Sequence, residues 1–175
     1  MTSQQAVSYW LMPCLQAHDD FEALSKQACR GLQGCTLPPH ITLYSDHLEN
    51  AANAVDRLSQ VAEGCKPVQL SPTAIEAGSL FTKSLILHFA AGDELIHWFM
   101  QLRRQSPNRL DYQLKPHLSL LYSSETLSAK QAMAAQLQLP APALFNRLAV
   151  AVHPLTISTD ADIAAVKILH EHKLE

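Results

Sequence analysis

Pro39-His40-Ile41-Thr42-Leu43-Tyr44-Ser45 returns later in the chain as Pro116-His117-Leu118-Ser119-Leu120-Leu121-Tyr122-Ser123. Each copy runs His, apolar, hydroxyl, apolar directly after a proline. Successive side chains of an extended strand point to opposite faces. His40 and Thr42 therefore share one face, with Ile41 and Leu43 on the other; His117 and Ser119 stand likewise against Leu118 and Leu120. Such a strand anchors itself in a core while offering an imidazole and a hydroxyl to a cleft. One His-x-hydroxyl tetrapeptide arises easily by chance, whereas two copies with matched flanks point to one site built twice.

The surrounding pattern supports a duplication. Val7 to Met12, closed by Pro13, reads as a strand, and Asp19-Asp20 open a helical stretch carrying Phe21, Leu24, Ala28 and Leu32. After the first His strand, Asn50 caps a second helix with Ala54, Val55, Leu58 and Val61 inward, ending at Gly64. Val68 to Glu76 reads as a third strand. The second half repeats the order: a strand at Ser84–Ala90, a helix at Asp93–Arg104, the second His strand, a helix at Ser128–Leu137 capped by Ser128, and a strand at Phe145–His153. His117 follows His40 by 77 positions (117 − 40), and the same offset separates Val7 from Ser84 and Val68 from Phe145. The expected fold is α+β and bilobal: two β-α-β-α-β lobes, about 7–76 and 84–153, related by a pseudo-two-fold axis. Antiparallel-rich sheets flank a central cleft, with the His strands side by side near the axis. Residues 1–175 form one domain, with 154–175 as an extension in which Val166 to His172 reads as an added strand.

Composition narrows the function. An apolar content of 47% and a charged content of 17% describe an ordinary globular chain, and a net charge of −3 gives no global reason for tight binding to long nucleic acid. No basic region followed by an apolar run opens the chain, and no apolar stretch approaches a membrane span. Cys14, Cys29, Cys35 and Cys65 form no C-x-x-C pair, so reduced thiols in a cytoplasmic protein are expected, with a Cys29–Cys35 bridge left open. Glycine-rich phosphate loops are absent. His170-x-His172 is the one ligand-like histidine spacing, and its place near the terminus favours exposure over metal binding. Arg103, Arg104, Arg109 and Lys115 gather before the second motif, where they either draw in an anion or line a solvated helix end.

Hydrolysis of a phosphodiester needs a base for water and an acid for the leaving alcohol. Histidine suits both because its unperturbed pKa is about 6.5. The hydroxyls of Thr42 and Ser119 can each donate to a non-bridging phosphate oxygen. No metal or other cofactor is required by this arrangement.

The paired motifs resemble those of the two-histidine phosphoesterase superfamily. Trp10 and the two quoted stretches look most like its cyclic phosphodiesterase branch. The resemblance implies a bilobal fold and metal-independent opening of nucleoside 2′,3′-cyclic phosphates to 2′-phosphates, with activity on ADP-ribose 1″,2″-cyclic phosphate. It implies His40 and His117 as the acid–base pair, His117 favoured as base, with Thr42 and Ser119 as phosphate ligands. Tyr122 matches a substrate-contacting tyrosine of that branch. By simple alternation Tyr122 faces the core, so a bulge is needed to turn it into the cleft. The RNA-ligase-like branch carries an arginine where Tyr122-Ser123-Ser124 stands, which favours a small cyclic-phosphate nucleotide as partner over RNA ends. The alternatives are an enzyme of RNA 2′-5′ ends and a non-catalytic nucleotide- or RNA-binding module. The expected protein is monomeric and has no membrane partner.

Overall fold

The computed structural model describes residues 4–107 and 110–175. Among the described residues, eight strands and five α-helices follow in the order β1 (Gln5–Pro13), α1 (Leu15–Gly31), β2 (Ile41–His47), α2 (Ala51–Ala62), β3 (Val68–Leu70), β4 (Pro72–Ala77), β5 (Leu85–Phe89), α3 (Asp93–Gln105), β6 (His117–Leu121), α4 (Leu127–Ala134), β7 (Ala143–Pro154), α5 (Asp160–Ala164) and β8 (Lys167–Lys173). The strands form one antiparallel sheet in the order β3-β7-β1-β2-β6-β5-β4, with β8 added against β7. β2 and β6, the two His strands, are neighbours at its centre and meet at the pair Ile41–Leu118. The apolar partners in both motifs go where parity sends them. Ile41, Leu43, Leu118 and Leu120 have no exposed surface, each contributing about 1.5–3 kcal/mol of burial.

The third strand of each half crosses to the other half. β7 pairs with β1, and β4 pairs with β5. The stretch read as one strand over 68–76 is broken at Ser71: β3 pairs with β7 at one edge of the sheet and β4 pairs with β5 at the other. Pro72 accounts for the break, because it holds the preceding residue extended and cannot donate to a ladder.

Local differences have local causes. α1 begins at Leu15, with Cys14 as an N-cap whose backbone N–H donates to Leu144, so Asp19 and Asp20 lie in its second turn. Pro13 ends the strand, and nothing delays the helix beyond it. Asn50 caps α2 as expected, accepting from the N–H groups of Ala52 and Asn53, and Gly64 follows the helix in the left-handed region at φ +76°. α4 is capped by Thr126, which accepts from Ala129, and ends at Ala134. Leu174 is buried in the main core and ties its N–H to Asn146. The four cysteines are free. Among the described residues no helix is long and apolar enough to cross a membrane.

Candidate active site

X-Pro-His is the local unit that aims each imidazole. The residue before proline is held extended and proline fixes its own φ, so the carbonyl two residues before the histidine returns to the ring. Pro38 O lies 2.7 Å from His40 Nδ1, and Lys115 O lies 2.7 Å from His117 Nδ1. A carbonyl only accepts, so in both rings Nδ1 carries the hydrogen and Nε2 is left with a lone pair for the cleft. The two bonds sit 77 positions apart, like the histidines themselves (117 − 40).

The antiparallel register through Ile41–Leu118 sets His40 across from Ser119 and Thr42 across from His117. Each imidazole thus stands beside the hydroxyl of the other motif. His40, Thr42, His117, Ser119 and Tyr122 all line one cavity of about 270 Å³. Trp10 stacks on His40 with ring centroids 3.6 Å apart and planes within 12°.

Burial pushes His40 down to about 4, with His117 and His153 acting the same way and the Pro38 bond opposing. His117 is lowered too, first by burial and then by Lys83 and His88, while its bond to Lys115 acts upward. The two rings are neutral at pH 7 without an anion beside them. Tyr122 is pushed up to about 12 by burial, partly offset by its hydrogen bond to Ser119. The Ser119 hydroxyl donates to Thr82 O at 3.1 Å, so a phosphate oxygen would have to take the place of that carbonyl.

The bulge that Tyr122 requires is present. Ile86 pairs with Ser119 and the next residue along, Leu85, with Leu121, which leaves Leu120 as the extra residue. Leu120 and Leu121 therefore both turn to the core and Tyr122 to the cavity. Its backbone is clamped by Cys35, whose N–H donates to Tyr122 O and whose carbonyl accepts from Tyr122 N, each at 2.9 Å. β2 carries the same bulge: Trp10 pairs with Thr42 and Tyr9 with Tyr44. Tyr44 is consequently fully buried despite sharing strict parity with His40. The structural counterpart of Tyr122 is Ser45 (122 − 45, again 77), which also lines the cavity. Against the His strands, β1 and β5 match at 76 (86 − 10), one short of the offset read from the sequence.

Several cavity residues carried no sequence signal. Lys83 comes from a short turn at Phe81–Lys83, and Tyr112 donates to Thr42 O at 3.0 Å from the loop before β6. Ser8 and His153 stand on β1 and β7. Tyr112 and Lys83 lie in irregular segments with no periodicity to read, and His153 belongs to a strand whose place beside β1 depends on the crossover. Of the expected basic cluster, Arg103, Arg104 and Lys115 are exposed and do not line the cavity, and Arg109 lies outside the described residues. Phe81 packs near Tyr122, with centroids 6.1 Å apart. Among the described residues no group of three or more His, Cys, Asp or Glu could hold a metal ion.

Solved structures share this architecture. LigT of E. coli, crystallised with 3′-AMP, superimposes with a TM-score of 0.60 at 13% identity, covering 98% of both chains. TT0787 of Thermus thermophilus gives 0.61 at 13% identity over 97% of both. Usb1 of Kluyveromyces marxianus gives 0.50 at 9%, covering 94% of this chain and 97% of its own. The fold is that of the two-histidine phosphoesterases. No protein-family model matches the sequence, and no curated protein matches it either. At such low identity the common ground with the two-histidine phosphoesterases is the backbone path.

Proposed function

We propose that the protein is a phosphodiesterase that opens a small cyclic phosphodiester, a nucleoside 2′,3′-cyclic phosphate, to the 2′-phosphate by acid–base catalysis between His40 and His117. The carrying observation is the matched pair of Nδ1 bonds, which leaves two Nε2 atoms for one cavity that Thr42 and Ser119 also line. The fold shared with LigT and Usb1 supports a phosphodiester as the substrate class.

In the proposed step His117 Nε2 takes a proton from water as its oxygen attacks phosphorus. The bond from phosphorus to the ring oxygen breaks, and His40 passes its proton to that oxygen. Thr42 and Ser119 donate to the non-bridging oxygens as charge builds there. His40 suits the acid because a phosphate charge acts strongly on a desolvated ring. The Trp10 face favours its cationic form as well. Metal takes no part in this reading. One chain supplies all four groups, so the proposed enzyme works as a monomer; activity on ADP-ribose 1″,2″-cyclic phosphate and a cytoplasmic location are proposed with it.

Incubation with 2′,3′-cyclic nucleotides in EDTA is the direct assay, and it should yield 2′-phosphates. His40→Ala and His117→Ala should each lower turnover by at least about 10²-fold. A near-normal rate in either variant removes that residue from the mechanism. Turnover of 2′-5′ oligonucleotides alone would move the reading to RNA ends, and binding without turnover to a non-catalytic module.

A further inference from the structure

His153, Ser8 and Ser45 form a hydrogen-bonded chain on the cavity wall that the acid–base step leaves unused. His153 Nδ1 lies 2.8 Å from Pro154 O, its Nε2 lies 2.7 Å from Ser8 Oγ, and Ser8 Oγ lies 2.7 Å from Ser45 Oγ. The carbonyl fixes the direction of the whole chain. Because Pro154 O can only accept, Nδ1 carries the hydrogen, and the neutral ring's Nε2 must accept from Ser8. Ser8 has then spent its one hydrogen and must accept from Ser45. Ser45 in turn has spent its own, so only its oxygen lone pairs remain for the cavity. Burial keeps His153 below its ordinary pKa, which holds the chain in this direction at neutral pH.

We infer that Ser45 is a specificity-determining contact: its oxygen accepts a hydrogen bond from a hydroxyl or amino group on the nucleoside part of the substrate, and it disfavours a second phosphate there. This rests on the two-histidine reading for the phosphate position. The size of the cavity agrees, since about 270 Å³ leaves room beyond a phosphate group. Ser45 also occupies the place that Tyr122 occupies in the other half, so the two ends of the cleft differ in kind: a phenol on one side, an acceptor chain on the other.

The test compares dissociation constants for inorganic phosphate, adenosine 2′-phosphate and adenosine 2′,5′-bisphosphate at pH 7.5. Ser45→Ala should shrink the preference for adenosine 2′-phosphate over phosphate by about 3- to 10-fold, the worth of one neutral hydrogen bond. Ser8→Ala frees the Ser45 hydrogen, so the bisphosphate should gain on the monophosphate by a similar factor. A merely structural role predicts instead that all three ligands weaken together in both variants, and that result overturns the inference. Phosphate bound normally with an unchanged preference in Ser45→Ala overturns the subsite alone. Absence of phosphate binding in the wild type overturns the two-histidine reading and this inference with it.

Discussion

Burial of His40 makes stability depend on pH, and the effect can be isolated with one substitution. In the unfolded chain a histidine titrates near 6.5. In the folded protein His40 is held down to about 4. Between those values the unfolded state binds the proton and the folded state does not, so stability falls as the pH drops from about 6.5 and levels off below about 4. The gap corresponds to about 3 kcal/mol at most, and between pH 6.5 and 4.5 the loss from this group is about 2 kcal/mol. His40→Gln removes the titrating group and keeps an amide able to donate toward Pro38 O. Urea unfolding of both proteins across that range gives two curves whose difference cancels the carboxylates and the other histidines. The wild type should lose about 2 kcal/mol more than the variant on acidification. Parallel curves would show that His40 is solvated or already paired with an anion in the folded state, and would refute the argument from desolvation.

Three further outcomes follow from the same geometry. Binding of inorganic phosphate should be accompanied by proton uptake, because a phosphate charge raises both depressed imidazoles; calorimetry in buffers of different ionisation heat should therefore give different apparent enthalpies, and identical values would contradict it. Gly34→Ala would drive a Cβ into Tyr122 O and the Leu121 side chain, so it should destabilise the fold by about 1–3 kcal/mol and weaken nucleotide binding; a wild-type melting curve would show that the Cys35–Tyr122 clamp yields freely. Deleting Leu120 removes the extra residue and leaves Tyr122 an even four positions after His117, so plain alternation should keep the ring on the cavity face and nucleotide affinity should survive in the folded variant; lost affinity would mean that the bulge does more than set parity.

Parity set His40 with Thr42 and His117 with Ser119, since a period of two decides which side chains share a face, and the repeat pointed to one cleft between them. The same rule misplaces Tyr44 and Tyr122, because a bulge is a count of residues against the neighbouring strand and neither strand alone records it. Asn50 and Gly64 announced the ends of α2 through their own chemistry. The start of α1 left no such mark, as Cys14 caps without its side chain. The repeat located β7 in the chain but not in the sheet: His153 reaches the cleft through a crossover that no local pattern describes. Lys83 and Tyr112 come from loops, where position follows from tertiary packing alone.

The break at Ser71 has a mechanical consequence. Val68–Leu70 and Pro72–Ala77 are one short piece of chain, yet they hem opposite margins of the sheet. The end of β3 and the start of β4 are therefore a single residue apart, so the sheet curls enough to bring those two corners together, and Ser71 joins them like a buckle. Swinging the two halves apart to widen the cleft would unfasten it, at the cost of ladder bonds on β7 or β5.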